Sequence, residues 1–160
     1  MRYKVAPPAR SLDFLADARG AVPLVPDSEA DCCRAIQRAT DVPDRETARA
    51  YLTFLQALTL VAESERGYHR TRTELAPETL ATPFRERVFL VTELLDALER
   101  ESRTPEAAFS AVRDAIPQWE RGRNPNWAAD WRAKVEHLLS WAVLFECCTV
   151  EAGRFERRPQ

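Results

Sequence analysis

Arginine carries most of the chemistry available to this chain. Arg45 and Arg49 stand four residues apart, and Arg66, His69, Arg70 and Arg72 fall within seven residues that contain no acid. On a helix, a spacing of four puts two side chains on one face. There two guanidinium groups can read guanine edges bidentately or grip phosphates. The same pattern also fits a solvated face on which Arg49 pairs with Glu46 and Arg45 with Asp41. On a strand, alternation places Arg70 and Arg72 on one side. Such a strip could touch phosphate or a minor groove, or could serve only to keep an exposed edge from aggregating. Twenty-one of the 23 basic residues are arginine, the residue better suited to bidentate base or phosphate contacts.

Other chemistry has little support. The four cysteines form two adjacent pairs, Cys32-Cys33 and Cys147-Cys148, with no C-x-x-C. Neighbouring positions in a helix or strand point different ways, so a shared metal site is awkward, and reduced, buried small hydrophobes are expected. The two histidines, His69 and His137, have no H-E-x-x-H around them. No Ser or Cys lies at a sharp Gly-flanked turn, and no Gly-rich phosphate loop occurs. An enzyme is not expected, nor a metal or a cofactor.

The chain has 160 residues, 45% hydrophobic and 30% charged, which suits one compact domain or two units of about 70 to 80 residues. The net charge is −2, and residues 1–82 carry 11 basic and 12 acidic groups against 12 and 13 in residues 83–160. Any surface for a polyanion must therefore be a local patch. No run of eighteen apolar residues exists, and the N-terminus lacks the apolar stretch of a secretory signal, so no membrane partner and a cytoplasmic location are expected.

The elements that would position the arginines are mainly helical. Residues 1–26 hold four prolines and one short periodic piece, Leu12 to Ala18, and read as an arm with a helical turn. Ser28 can cap a helix to Thr40 that buries Cys33, Ile36 and Ala39. Asp41-Val42-Pro43 opens a helix from about Pro43 to Thr59, with Ala48, Tyr51 or Leu52, Leu55 and Leu58 inward. Subtracting those leaves Arg45, Glu46, Arg49, Ala50 and Thr53 outward. Leu60 to Glu63 and Tyr68 to Thr73 read as a hairpin around Gly67. A long helix is expected from Pro83 to about Ser102, with Phe84, Val88, Val91, Leu95 and Leu98 aligned. Thr104-Pro105 opens another. Trp127, Trp131, Val135, Leu138, Ala142 and Phe145 define a last helix before a hairpin with its tip at Glu151 to Arg154. Trp127, Trp131 and Trp141 read as core, with a partner-binding patch as the alternative.

At an offset of 86, Leu52, Leu58, Glu65, Gly67 and Arg72 match Leu138, Leu144, Glu151, Gly153 and Arg158. Both stretches describe a helix running into a hairpin. Either the chain holds a tandem pair of related units, or one unit precedes an unrelated helical bundle.

The stretch from Pro43 through Thr47-Ala48-Arg49, Leu52, Leu55 and Leu58 to Leu60-Val61, followed by Glu63 to Gly67-Tyr68, resembles the recognition helix and wing of prokaryotic winged helix-turn-helix regulators. The likeness covers Ser28 to Thr73, and the second half only in helix order and terminal hairpin. The family commonly has a glycine before the first wing strand, where Thr59 stands here, which leaves the geometry of that turn open. The resemblance implies a mainly α fold with short β-hairpins, a winged helix-turn-helix with a second tandem unit as an option. It implies an arm over residues 1–26, a winged unit over 27–76 and a second helical unit over 83–160. It further implies a regulator that binds double-stranded DNA through Arg45, Arg49, Thr53, Arg66, His69, Arg70 and Arg72, with residues 83–160 forming a homodimer or holding a protein partner. The alternative is a tandem winged-helix interaction subunit of a larger complex, without direct DNA readout.

Overall fold

The structure, a computed structural model, describes residues 2–158. Met1 of the expected arm, and Pro159 and Gln160 of the expected second unit, lie outside the described residues. Side-chain caps set the first three helices. The Ser11 hydroxyl accepts from the Phe14 amide at 3.1 Å and opens α1 (Leu12–Ala21); Ser28 accepts from Asp31 at 3.1 Å and opens α2 (Glu29–Ala39). The Asp44 carboxylate accepts from the Thr47 amide at 2.7 Å and opens α3 (Arg45–Ala57). Each satisfies an amide that the first helical turn leaves free. Asp44 thus takes the cap expected of Asp41, and the helix starts two residues beyond Pro43.

Past α3 the chain reverses at Thr59, in the left-handed region at φ 66°, and enters β1 (Val61–Ser64), which pairs antiparallel with β2 (Gly67–Arg70) in the register Val61↔Arg70 to Ser64↔Gly67. Asp27 lies along the other edge of β2, exchanging amide and carbonyl bonds of 2.8 and 3.0 Å with Tyr68. That approach requires Gly67. It sits at φ 125°, and a Cβ there would lie 2.1 Å from the Asp27 carbonyl oxygen.

One long helix was expected from Pro83, but two shorter ones form, α4 (Pro77–Arg87) and α5 (Val91–Arg100). Between them Leu90 takes φ 79°, and the arm inserts Tyr3, whose amide donates to the Arg87 carbonyl at 2.7 Å and whose carbonyl accepts from Phe89 at 2.9 Å. The apolar spacing runs through the break without interruption, so periodicity gives no sign of it. Pro83, expected to mark the helix start, lies inside α4.

The remaining elements repeat the first set. Thr104 caps α6 (Pro105–Val112); a 3₁₀ turn (Arg113–Ala115) and α7 (Gln118–Arg123) lead to α8 (Trp127–Leu144), then β3 (Cys148–Glu151) and β4 (Arg154–Arg157). Buried positions correspond throughout. Phe14, Leu15 and Ala18 match Leu94, Leu95 and Leu98, and Cys32, Cys33 and Ile36 match Ala108, Phe109 and Val112. Ala48, Leu52, Phe54, Leu58 and Val61 match Val135, Leu139, Trp141, Phe145 and Cys148. Glu146 at φ 61° repeats Thr59, and Arg103 pairs with Phe155 as Asp27 does with Tyr68. The structural offset of the helix and hairpin is therefore 87, one more than the letters suggest. Gly67 and Gly153 are not equivalent: Gly67 follows its two-residue turn, whereas Gly153 lies within one beside Ala152 at φ 51°.

The two units share one core. The Phe54 ring of α3 lies 4.5 Å from Trp141 of α8, and Phe145 links Trp141 to Phe84 of α4 at 5.7 and 5.1 Å. The arm laces this seam: Tyr51 donates its hydroxyl to the Pro8 carbonyl at 2.7 Å, Trp141 donates its indole N–H to Pro7 at 2.8 Å, and His137 Nδ1 lies 2.9 Å from the Ala6 carbonyl oxygen. Of the three tryptophans expected in the core, Trp131 and Trp141 are buried and Trp127 is half-buried.

Candidate nucleic-acid interface

Helix α3 packs on α1 and α2, burying Ala48, Tyr51, Leu52, Phe54, Leu55 and Ala57, and its Phe54 ring meets Trp141 of α8. The stripe left over is Arg45, Arg49, Thr53 and Gln56, with the arginines exposed and the other two half-buried. Gln56 was not anticipated, although it continues the spacing one turn further. It is the stripe's link to the wing, donating from Nε2 to Glu63 Oε1 at 3.3 Å.

The register decides which side of the wing faces this stripe. Residues directly opposite on paired strands share a face, so Val61, Glu63, Tyr68 and Arg70 lie on one side, and Ala62, Ser64, Gly67 and His69 on the other. The Glu63–Gln56 bond identifies the first set as the side that meets α3. The helix stripe and this face form an angled cradle with Tyr68 at its floor. Burial, followed by the charges of Glu63 and Glu29, pushes the Tyr68 phenol up to about 12.

The expected site residues separate into two groups. Arg45, Arg49 and Thr53 border the cradle, and Arg66 stands exposed at the hairpin tip. Neither pair considered from the sequence forms: Arg49 places its Nε 3.4 Å from Glu29 Oε1 on α2 rather than pairing with Glu46, and Asp41 pairs with Arg10 at 2.8 Å rather than with Arg45. Arg70 and Arg72 lie at the far end, near where α3 finishes. β2 ends at Arg70, and just beyond it Thr71 and Thr73 both donate their hydroxyls to the Thr59 carbonyl. Arg70 donates to the Gly20 carbonyl at 3.0 Å, next to Arg19, which donates to Thr73 and whose pKa is lowered by burial and then by the Arg70 charge. His69 faces away from the cradle with its Nδ1 buried and unbonded. Among the described residues Arg45, Arg66, Arg70 and Arg72 form no ion pair.

The cradle is therefore of mixed sign, with Glu29 and Glu63 set among its arginines. The second unit differs at the corresponding positions. Arg132 replaces Arg45, but Glu136 replaces Arg49, and Arg157, the counterpart of Arg70, lies 3.6 and 3.9 Å from Glu99 and Asp96.

The cysteines are poor nucleophiles. Burial raises all four thiols, Cys32 to about 11 and Cys148 to about 12, which leaves almost no thiolate near neutrality. Among the described residues no three His, Cys, Asp or Glu side chains converge as a metal site, and no helix is long and apolar enough to cross a membrane.

Compared with protein families, the chain matches the model of the halobacterial double winged helix domain over residues 1–160. No curated protein and no solved structure matches the chain.

Proposed function

Because the chain belongs to the halobacterial double winged helix domain family, we propose that its first unit binds duplex DNA as a transcriptional regulator. The carrying observation is the exposed stripe of α3 framed by the wing, with Arg45, Arg49 and Thr53 outward. In this reading the first turns of α3 enter a major groove, where Arg45 and Arg49 meet base edges or phosphates. Arg66 at the tip reaches the flanking backbone, and Arg70 and Arg72, with His69 behind them, provide outlying contacts. Residues 83–160 supply the contact with a second copy or a protein partner, and the protein works in the cytoplasm without catalysis.

A second reading has its own support. The Arg49–Glu29 pair and the acids around the cradle suit a protein partner, as in an interaction subunit of a larger complex. Salt dependence separates the two. Neutralising about three phosphates, through Arg45, Arg66 and Arg72, gives a log–log slope near −2.7, and removing one of these arginines reduces it by about 0.9. Titration of the full chain with random duplex DNA at increasing salt measures both. No binding at low salt, with wild type and Arg45→Ala/Arg66→Ala alike, would favour the interaction subunit.

A further inference from the structure

The two units differ most in the helix-turn-helix turn. Between the equivalents of α2 and α3 the second unit carries eleven more residues, because the offset grows from 76 at Cys33/Phe109 to 87 at Leu52/Leu139. These residues form the 3₁₀ turn and α7, which is fastened to α8 where Trp131 donates its indole N–H to Glu120 at 3.2 Å. Residues 113–134 hold five basic and three acidic side chains in a chain of net charge −2. Their cations lie over aromatic rings. The Arg113 guanidinium is 5.1 Å from the Trp127 centroid, Arg132 is 5.3 Å from Phe109, and Arg123 is 5.2 Å from Trp119. Lys4 of the arm sits 3.9 Å from the same Trp119 ring.

Arg113, Arg123 and Arg132 are exposed and form no ion pair among the described residues. Trp119 is 55% exposed, whereas Trp131 and Trp141 are buried. A large ring left in solvent beside the unpaired Arg123 guanidinium is costly to hydrate and well placed to stack. We propose that this insert is a binding surface for single-stranded nucleic acid, with a base stacked on Trp119 and phosphates held by Arg113, Arg123 and Arg132.

Magnitudes favour this occupant. Stacking a base on an exposed aromatic is worth roughly 5- to 150-fold in affinity, against about 2- to 5-fold for a cation over an exposed ring. A base on the ring therefore gains more than the Lys4 ammonium does there, and Lys4 keeps its ion pair with Glu120 at 3.3 Å when it moves aside. An acidic peptide would use the arginines but not the ring. A duplex keeps its bases stacked on one another, and Glu136 at the position of Arg49 opposes its backbone in the second unit.

The test uses the full chain and an oligothymidylate of about ten nucleotides, followed by tryptophan fluorescence and by anisotropy of the labelled strand at low salt. Saturable quenching is expected, with affinity falling at least about fivefold in Trp119→Ala and largely kept in Trp119→Phe. Arg113→Gln/Arg123→Gln should reduce the salt slope by about 1.4. Arg45→Ala/Arg49→Ala/Arg66→Ala should leave this binding unchanged, which keeps it distinct from duplex binding by the first unit. The proposal is overturned if quenching is absent, if Trp119→Ala binds as wild type does, or if polyglutamate displaces the strand.

Discussion

Arg49 shows how a residue's chemistry is set by a neighbour the sequence hides. The polar stripe of α3 can be read from spacing, so Arg45, Arg49 and Thr53 were identifiable as outward. Glu29 was not, because it lies twenty positions away on α2 and reaches Arg49 only when the helices pack. With side chains 66% and 36% exposed, the pair is worth at most about 1 kcal/mol. Glu29→Gln should therefore strengthen duplex binding by up to about fivefold. Fluorescence anisotropy at fixed salt reads this, and an unchanged affinity would remove Arg49 from the contact. Gly67 is a second case. The sequence marks it as a turn glycine, yet its stricter constraint is the Asp27 carbonyl that lies along the edge of β2. Gly67→Ala should cost about 2 to 3 kcal/mol in urea unfolding, well above Gly153→Ala, where no atom lies within 4 Å of the added Cβ.

At the level of elements, caps were the readable signal and breaks were not. Ser28 and Thr104 announce α2 and α6 through oxygens that meet amides three residues on. The separation of α4 from α5 depends on Tyr3, more than eighty residues upstream, and leaves no local mark. The entry from α3 into the wing falls between these cases. Family likeness puts a glycine where Thr59 stands, and Thr59 does adopt φ 66°. A β-branched residue there costs about 1 to 2 kcal/mol, while glycine adds about 0.5 to 1 kcal/mol of unfolded-chain entropy. Thr59→Gly should thus raise stability by about 0.5 to 1 kcal/mol, seen as a higher urea midpoint. A lower midpoint would mean that the threonine hydroxyl contributes more than the strain costs.

Over the whole molecule, α3 and α8 meet through Phe54 and Trp141 and the arm binds both helices, so the two units are expected to unfold together. Phe54→Ala should cost about 3 to 5 kcal/mol and lower a single thermal transition for both halves. Two separate transitions, with only the first shifted, would show that the shared aromatic seam is not what couples them. The same seam explains the asymmetry of the pair. With Phe54 and Trp141 turned towards each other, the outer stripes of α3 and α8 remain open to a partner, and the stripes differ in charge.

Much of this architecture was written locally. Helix caps, apolar periodicity, the wing hairpin and the repeated helix-into-hairpin pattern all depend on residues within a few turns of one another, so the winged character was visible in the letters alone, and a second such unit stood there as one of two options. Tertiary structure settled what depends on residues distant in sequence: the true register of the repeat, the break at Leu90, the path of the arm, and the partners of the cradle's arginines. Those outcomes follow from which surfaces meet when two units fold around a common core, and a local pattern holds no record of a contact between chain segments eighty residues apart.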